Sequence, residues 1–144
     1  MGAEITFYQV DETIIKSLAP LLLKVLDEKK KVLIFCENPI QLKEIDNSLW
    51  SYGRNKFIPH VTIADLDFKM ERQPILISDK EENKNKADYL VFFEKPSDSF
   101  LQSFQRVFYF FEENNRAKAA SIAKTTKPKN CYQKINGKWE KFEF

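Results

Sequence analysis

Lys31-Val32-Leu33-Ile34-Phe35-Cys36 decides the fold. After its lysine it is an unbroken apolar run. A strand with one wet face alternates between apolar and polar residues. A strand covered on both faces reads as a continuous run, as in a parallel sheet with helices above and below. Asn38-Pro39 follows at once and marks a helix start. Asn38 is the N-cap, Pro39 the first helical position and Gln41 the capping-box position. Leu42, Ile45 and Leu49 form that helix's buried stripe, and Gly53 is placed to end it. A buried strand running into an amphipathic helix is half of a βαβ unit.

The flanking sequence continues the pattern. Upstream, Glu4–Val10 is β-branched and aromatic, which predicts a strand. Asp11 is placed to cap a helix in which Ile14, Leu18, Leu21, Leu22, Val25 and Leu26 recur at helical spacing. Pro20 falls inside that pattern and predicts a kink near Lys16, or a helix that begins at Ser17. Downstream, residues 61–72 carry no clear period. Pro74–Ser78 and Tyr89–Phe93 read as strands around a solvated loop, Asp79–Lys86. Phe100, Leu101 and Phe104 read as a short helix or turn, and Arg106–Phe111 as the last core strand. Glu112–Lys127 reads as a helix with acids in its first turn and lysines in its last, and Pro128 stops it. Tyr132–Ile135 and Lys138–Phe142 flank Asn136-Gly137, a strong hairpin signal. The expected architecture is a three-layer α/β sandwich with a mainly parallel sheet, a C-terminal helix and a short hairpin, in one domain over residues 1–144.

Such a sheet invites a nucleotide reading, which the residues oppose. The three glycines, Gly2, Gly53 and Gly137, lie far apart, and a phosphate-cradling loop needs them clustered. A single histidine cannot furnish a multi-histidine metal centre, and no Gly-x-Ser-x-Gly elbow occurs. No cofactor is expected. Cys36 and Cys131 form neither a disulfide framework nor a zinc motif. With no long apolar span and no basic-then-apolar leader, a reduced cytoplasmic setting without membrane contact is expected. Net charge is only +2, yet Arg116–Lys141 carries eight basic residues and one acid, Glu140, so the C-terminal end is the basic end.

The remaining chemistry concentrates in Trp50-Ser51-Tyr52-Gly53-Arg54-Asn55-Lys56-Phe57-Ile58-Pro59-His60. Three aromatics and the only histidine fall where a helix should end. Large rings on a connection are either packed beneath it or offered to a partner. His60 could act as a base if Asp65 or Asp67 reached it. Cys36, at a strand's carboxyl end, could be a nucleophile or a small buried hydrophobe.

The order and spacing of several motifs resemble the chi subunit family of bacterial DNA polymerase III. They are Thr6-Phe7-Tyr8, Lys31-Val32-Leu33-Ile34 with Cys36-Glu37, Leu49-Trp50 followed by Phe57-Ile58-Pro59-His60, Pro74-Ile75-Leu76-Ile77-Ser78, Ala87-Asp88-Tyr89-Leu90, and Asn136-Gly137-Lys138-Trp139-Glu140-Lys141. The resemblance implies a Rossmann-like fold that binds no nucleotide and a non-catalytic subunit of the clamp-loader assembly. It implies two partners: the psi subunit, and the acidic, phenylalanine-ended C-terminal tail of single-stranded-DNA-binding protein, through which DNA is reached indirectly. On the family pattern psi is met near Trp50, Phe57, Pro59 and His60. The tail is met by an Arg-x-x-aromatic-Lys motif on the C-terminal helix, which falls on Arg116, Ala119 and Ala120. Only the arginine is kept, with Lys118, Lys124 and Lys127 as neighbouring charge. Two other readings stay open. One is a small α/β enzyme centred on Cys36 or His60. The other is direct single-strand binding through Arg116–Lys141, with Tyr132 and Trp139 as stacking rings.

Overall fold

A computed structural model describes residues 3–11, 13–52, 58–63 and 72–144. In chain order the elements are β1 (Glu4–Val10), α1 (Ile14–Asp27), β2 (Val32–Phe35), α2 (Pro39–Ser51), β3 (Val61–Thr62), β4 (Ile75–Ser78), β5 (Tyr89–Phe92), α3 (Asp98–Gln102), β6 (Arg106–Glu112), α4 (Arg116–Thr126), β7 (Asn130–Ile135) and β8 (Lys138–Lys141). The strands form one eight-stranded sheet in the order β3-β4-β2-β5-β6-β1-β7-β8. Every pairing is parallel except β7 with β8. This is the mainly parallel Rossmann-like sandwich that the sequence predicts.

The apolar run of β2 explains itself in cross-section. Val32, Ile34 and Cys36 enter one core cluster, with Leu18, Leu22 and Val25 of α1 and Ile45 and Leu49 of α2. Leu33 and Phe35 enter the other, with Leu101 of α3 and Ala119 and Ile122 of α4. Successive strand residues face opposite sides, so a run apolar at every position requires helices on both faces. Each large side chain so buried contributes about 1.5–3 kcal/mol.

Several local expectations need correction. α1 begins at Ile14 with Thr13, not Asp11, at its N-cap position, and it continues through Pro20. Pro20 is exposed, so its ring takes no core space. On α2 the Asn38 Oδ1 accepts from the Ile40 N–H (2.8 Å) and the Gln41 N–H (3.3 Å), as a cap should. The Gln41 amide oxygen instead faces the Cys36 Sγ at 3.4 Å. Ile45 and Leu49 are buried and Leu42 is half-buried beside them. Tyr52 is the C-cap, and Gly53 lies outside the described residues. The loop after β4 is not wholly solvated: Asn85 is buried, and its amide donates to the carbonyls of Val32 (3.0 Å) and Gln73 (3.1 Å). α4 begins only at Arg116, after a 3-10 turn at Glu113–Asn115, because Glu112 still pairs with Val10 in the sheet. The acids therefore precede that helix and do not fill its first turn.

Candidate functional site

Trp50 is the last but one residue of α2 and is 55% exposed. Its ring centroid lies 4.5 Å from that of His60, which the chain brings back beneath it and which is 4% exposed. Both histidine nitrogens face acceptors. Nδ1 is 2.8 Å from the Ile58 carbonyl and Nε2 is 2.8 Å from the Asp46 carboxylate. The two contacts fix the plane of the ring from both sides. Asp46 and Trp50 are four residues apart on α2, so one helix face carries the carboxylate that orients the histidine and the indole that rests on it. Pro59 is half-buried, and Phe57 lies outside the described residues, as do Asp65 and Asp67. Sequence reasoning missed Asp46; its i,i+4 spacing from Trp50 was the available signal.

The outer face of α2 adds a second exposed hydrophobe. Ile40 is 71% exposed, and Pro39, Ile40, Lys43, Glu44 and Asn47 line a shallow, largely apolar groove. Ile40, Lys43, Asn47 and Trp50 recur at spacings of three, four and three. They form a stripe along one side of the helix with an apolar residue at each end.

At the other end of the sheet the four predicted basic residues do not converge. Positions two apart on a helix are about 200° apart around it, so Arg116 and Lys118 stand on opposite flanks of α4's buried stripe of Ala119 and Ile122. Lys118, Lys124 and Lys127 are exposed, and Lys127 forms the left-handed C-cap. Arg116 alone turns onto the sheet. Its Nη1 donates to the Gln9 amide oxygen at 2.6 Å, with the Gln133 oxygen at 3.4 Å, and its guanidinium lies 4.5 Å from the Phe142 ring. Beside it runs an open groove of about 340 Å³ whose walls include Ala123, Lys129, Cys131, Lys141 and Phe142. The helix has no ring at Ala119, but the hairpin brings one to the same arginine. Lys129, Lys141 and Phe142 could be suspected only from the closing Asn-Gly turn, which folds β8 back along β7.

The carboxyl ends of the strands are built differently from a phosphate site. Connections diverge at β1 and β6: β1 leads through α1 to β2 on one side, and β6 leads through α4 to β7 on the other. Ligands of open α/β sheets bind in such a crevice. Here it is lined by Val10, Asp11, Thr13, Glu112, Glu113 and Asn114, so its charge is negative and opposes phosphate. Nearby, the Glu37 carboxyl is raised above its ordinary range, chiefly by its hydrogen bond with Glu94. Cys36 is buried, and burial pushes its thiol up to about 11, the reverse of an activated nucleophile. The two rings suspected of stacking on nucleobases pack on Tyr8 instead. Tyr132 stacks on it at 5.7 Å and Trp139 meets it edge-on at 5.2 Å.

The family model described as DNA polymerase III chi subunit, HolC, matches residues 2–125. A probable DNA polymerase III subunit chi of Rickettsia prowazekii (strain Madrid E) is 28% identical over 94% of this chain and 88% of its own length. A DNA polymerase III subunit chi of Haemophilus influenzae (strain ATCC 51907 / DSM 11121 / KW20 / Rd) is 30% identical over 62% of this chain and 61% of its own. Among solved structures, the Pyrococcus furiosus Hef helicase domain superposes with a TM-score of 0.57 at 19% identity, over 76% of this chain and 27% of that one. At that identity the likeness is one of fold alone.

Proposed function

This chain belongs to the DNA polymerase III chi subunit family, and from that premise we propose that it bridges two proteins: a psi subunit of the clamp loader and the C-terminal tail of single-stranded-DNA-binding protein. It is an accessory subunit in DNA replication. We take residues 1–144 as one chi-like domain working in the cytoplasm, reaching DNA through the single-strand binder. Among the described residues no helix is long and apolar enough to cross a membrane.

The observation that carries the psi side is Trp50, an indole more than half exposed on a base pinned by Asp46 and the Ile58 carbonyl. A rigid aromatic anchor loses little side-chain freedom on binding, and such anchors dominate interfaces. On the family pattern Phe57, Pro59 and His60 belong to the same partner site as Trp50. His60 acts from below, as the support of the ring. Ile40, at the far end of the same stripe, marks how far along α2 a psi segment would reach. The tail side rests on Arg116, with Lys118, Lys124 and Lys127 as outlying charge that draws an acidic segment in. A guanidinium backed by an aromatic ring suits a carboxylate next to a phenylalanine.

The test is binding of the full chain and its Trp50→Ala variant to a psi subunit, followed by calorimetry. A hot-spot loss of about 2 kcal/mol or more, roughly thirtyfold in Kd, is expected, with the melting temperature nearly unchanged. Equal affinity of the two forms would remove Trp50 from the interface, and no binding by the parent chain would remove psi as its partner.

A further inference from the structure

After β8 the chain turns back over α4, and Phe142-Glu143-Phe144 lies along the Arg116 groove. Its two rings are held differently. The Phe142 N–H donates to the Cys131 carbonyl at 2.9 Å, continuing the hairpin, and its ring is half-buried under the Arg116 guanidinium. Phe144 is held by ring contacts. Its centroid is 6.2 Å from Phe7, 6.2 Å from Phe111 and 5.0 Å from Phe142, and the Arg116 guanidinium is 5.6 Å above it. Phe7 and Phe111 are core residues, whereas Phe144 is 46% exposed. Phe144 thus covers an apolar floor with a cation at its rim, and an acid, Glu143, stands next to it. An acidic peptide bearing a phenylalanine would present the same two groups to the same floor and the same cation.

We propose that Glu143-Phe144 is an intramolecular occupant of the acidic-tail site on α4: a strap that an acidic, phenylalanine-ended peptide must displace, leaving Phe142 as the fixed wall. The proposal rests on the reading of Arg116 as the tail-binding residue and adds a regulator to it. An attached competitor acts at high effective concentration, so even weak self-binding lowers apparent affinity. If the strap is down in about nine molecules of ten, affinity for the peptide is reduced about tenfold.

The experiment titrates a labelled acidic peptide ending in Pro-Phe into the full chain and its Phe144→Ala, Phe142→Ala and Arg116→Ala variants, read by fluorescence anisotropy. Phe144→Ala is expected to bind about three- to tenfold more tightly than the parent, Phe142→Ala more weakly, and Arg116→Ala not at all. Proton NMR of the parent chain reads the same event without relying on a variant's fold: the Phe144–Phe7 ring cross-peaks should vanish as peptide is added. A parent chain that binds the peptide with those cross-peaks intact, or a folded Phe144→Ala that binds no more tightly, overturns the strap and leaves the tail site standing. No binding by the parent or by Phe144→Ala overturns the tail site and the strap together.

Discussion

Asp46 and His60 are fourteen positions apart, and only the fold brings them to 2.8 Å. With the Asp46 carboxylate gone, the buried His60 ring keeps its Ile58 carbonyl and loses its charged partner. Asp46→Ala should cost about 1–3 kcal/mol, seen as a lower denaturation midpoint at unchanged slope, because an uncompensated buried polar group carries its desolvation penalty in full. A midpoint equal to the parent's would show that the pair contributes nothing. Cys36 makes the opposite kind of site. Its thiol, raised from 9.0 to about 11, is only about a hundredth as ionised at pH 8 as an unperturbed one. In a Cys131→Ser background, thiol labelling at pH 8 should be at least about a hundredfold slower than for free cysteine, climbing about tenfold per pH unit towards 11. Because the folded value is the higher one, the thiol's contribution to stability is present below pH 9 and is lost as pH rises from about 9 to about 11. Rapid labelling at neutral pH would contradict this. At this scale the sequence said least. It singles out Trp50 and His60 as unusual, and Asp46 shares a helix face with Trp50 by spacing, but neither the contact of Asp46 with His60 nor that of Arg116 with Phe142 follows from spacing, since each joins distant segments.

Among the elements, β2 and α2 were legible because local chemistry and tertiary demand agree there: an unbroken apolar run, then Asn38-Pro39 as cap and first turn. The start of α4 was misjudged by four residues for the opposite reason. Glu112 has a reasonable helical neighbourhood, but its backbone is claimed by pairing beside Val10. The β7–β8 hairpin offers a clean test of turn chemistry. Asn136 and Gly137 have φ of 50° and 79°, the left-handed pair that a two-residue turn requires. A Cβ at Gly137 would meet nothing within 4 Å, so the cost of Gly137→Ala is conformational. It should be about 1 kcal/mol. Because β8 folds the Phe142–Phe144 segment back over α4, the substitution should also loosen that segment, seen as faster amide exchange at the Phe142 N–H that donates to Cys131. Unchanged exchange there would show that the segment holds its place without the turn.

For the molecule as a whole, the order of the strands matters more than any one of them. β1 pairs with β6 and β7, strands that lie about a hundred or more positions later in the chain. Folding must close very long loops before those pairings give anything back, so refolding from denaturant should be slow, in the millisecond-to-second range for a single domain, when followed by stopped-flow tryptophan fluorescence. A microsecond phase carrying the full amplitude would rule this out. The layered α/β class was readable from the doubly covered strands, while the place of β1 between β6 and β7 was not, because each strand pattern fits several neighbours. The same placement has a consequence for biosynthesis. Roughly 120 positions separate Val10 from Asn130, and at about 5–20 residues per second a ribosome needs roughly 6–24 seconds to make them. The other neighbour, β6, is complete only at Glu112, so for most of that interval Ile5, Phe7, Tyr8 and Val10 have neither sheet neighbour yet made, and the nascent chain carries an unpaired aromatic strand open to chaperones or to aggregation.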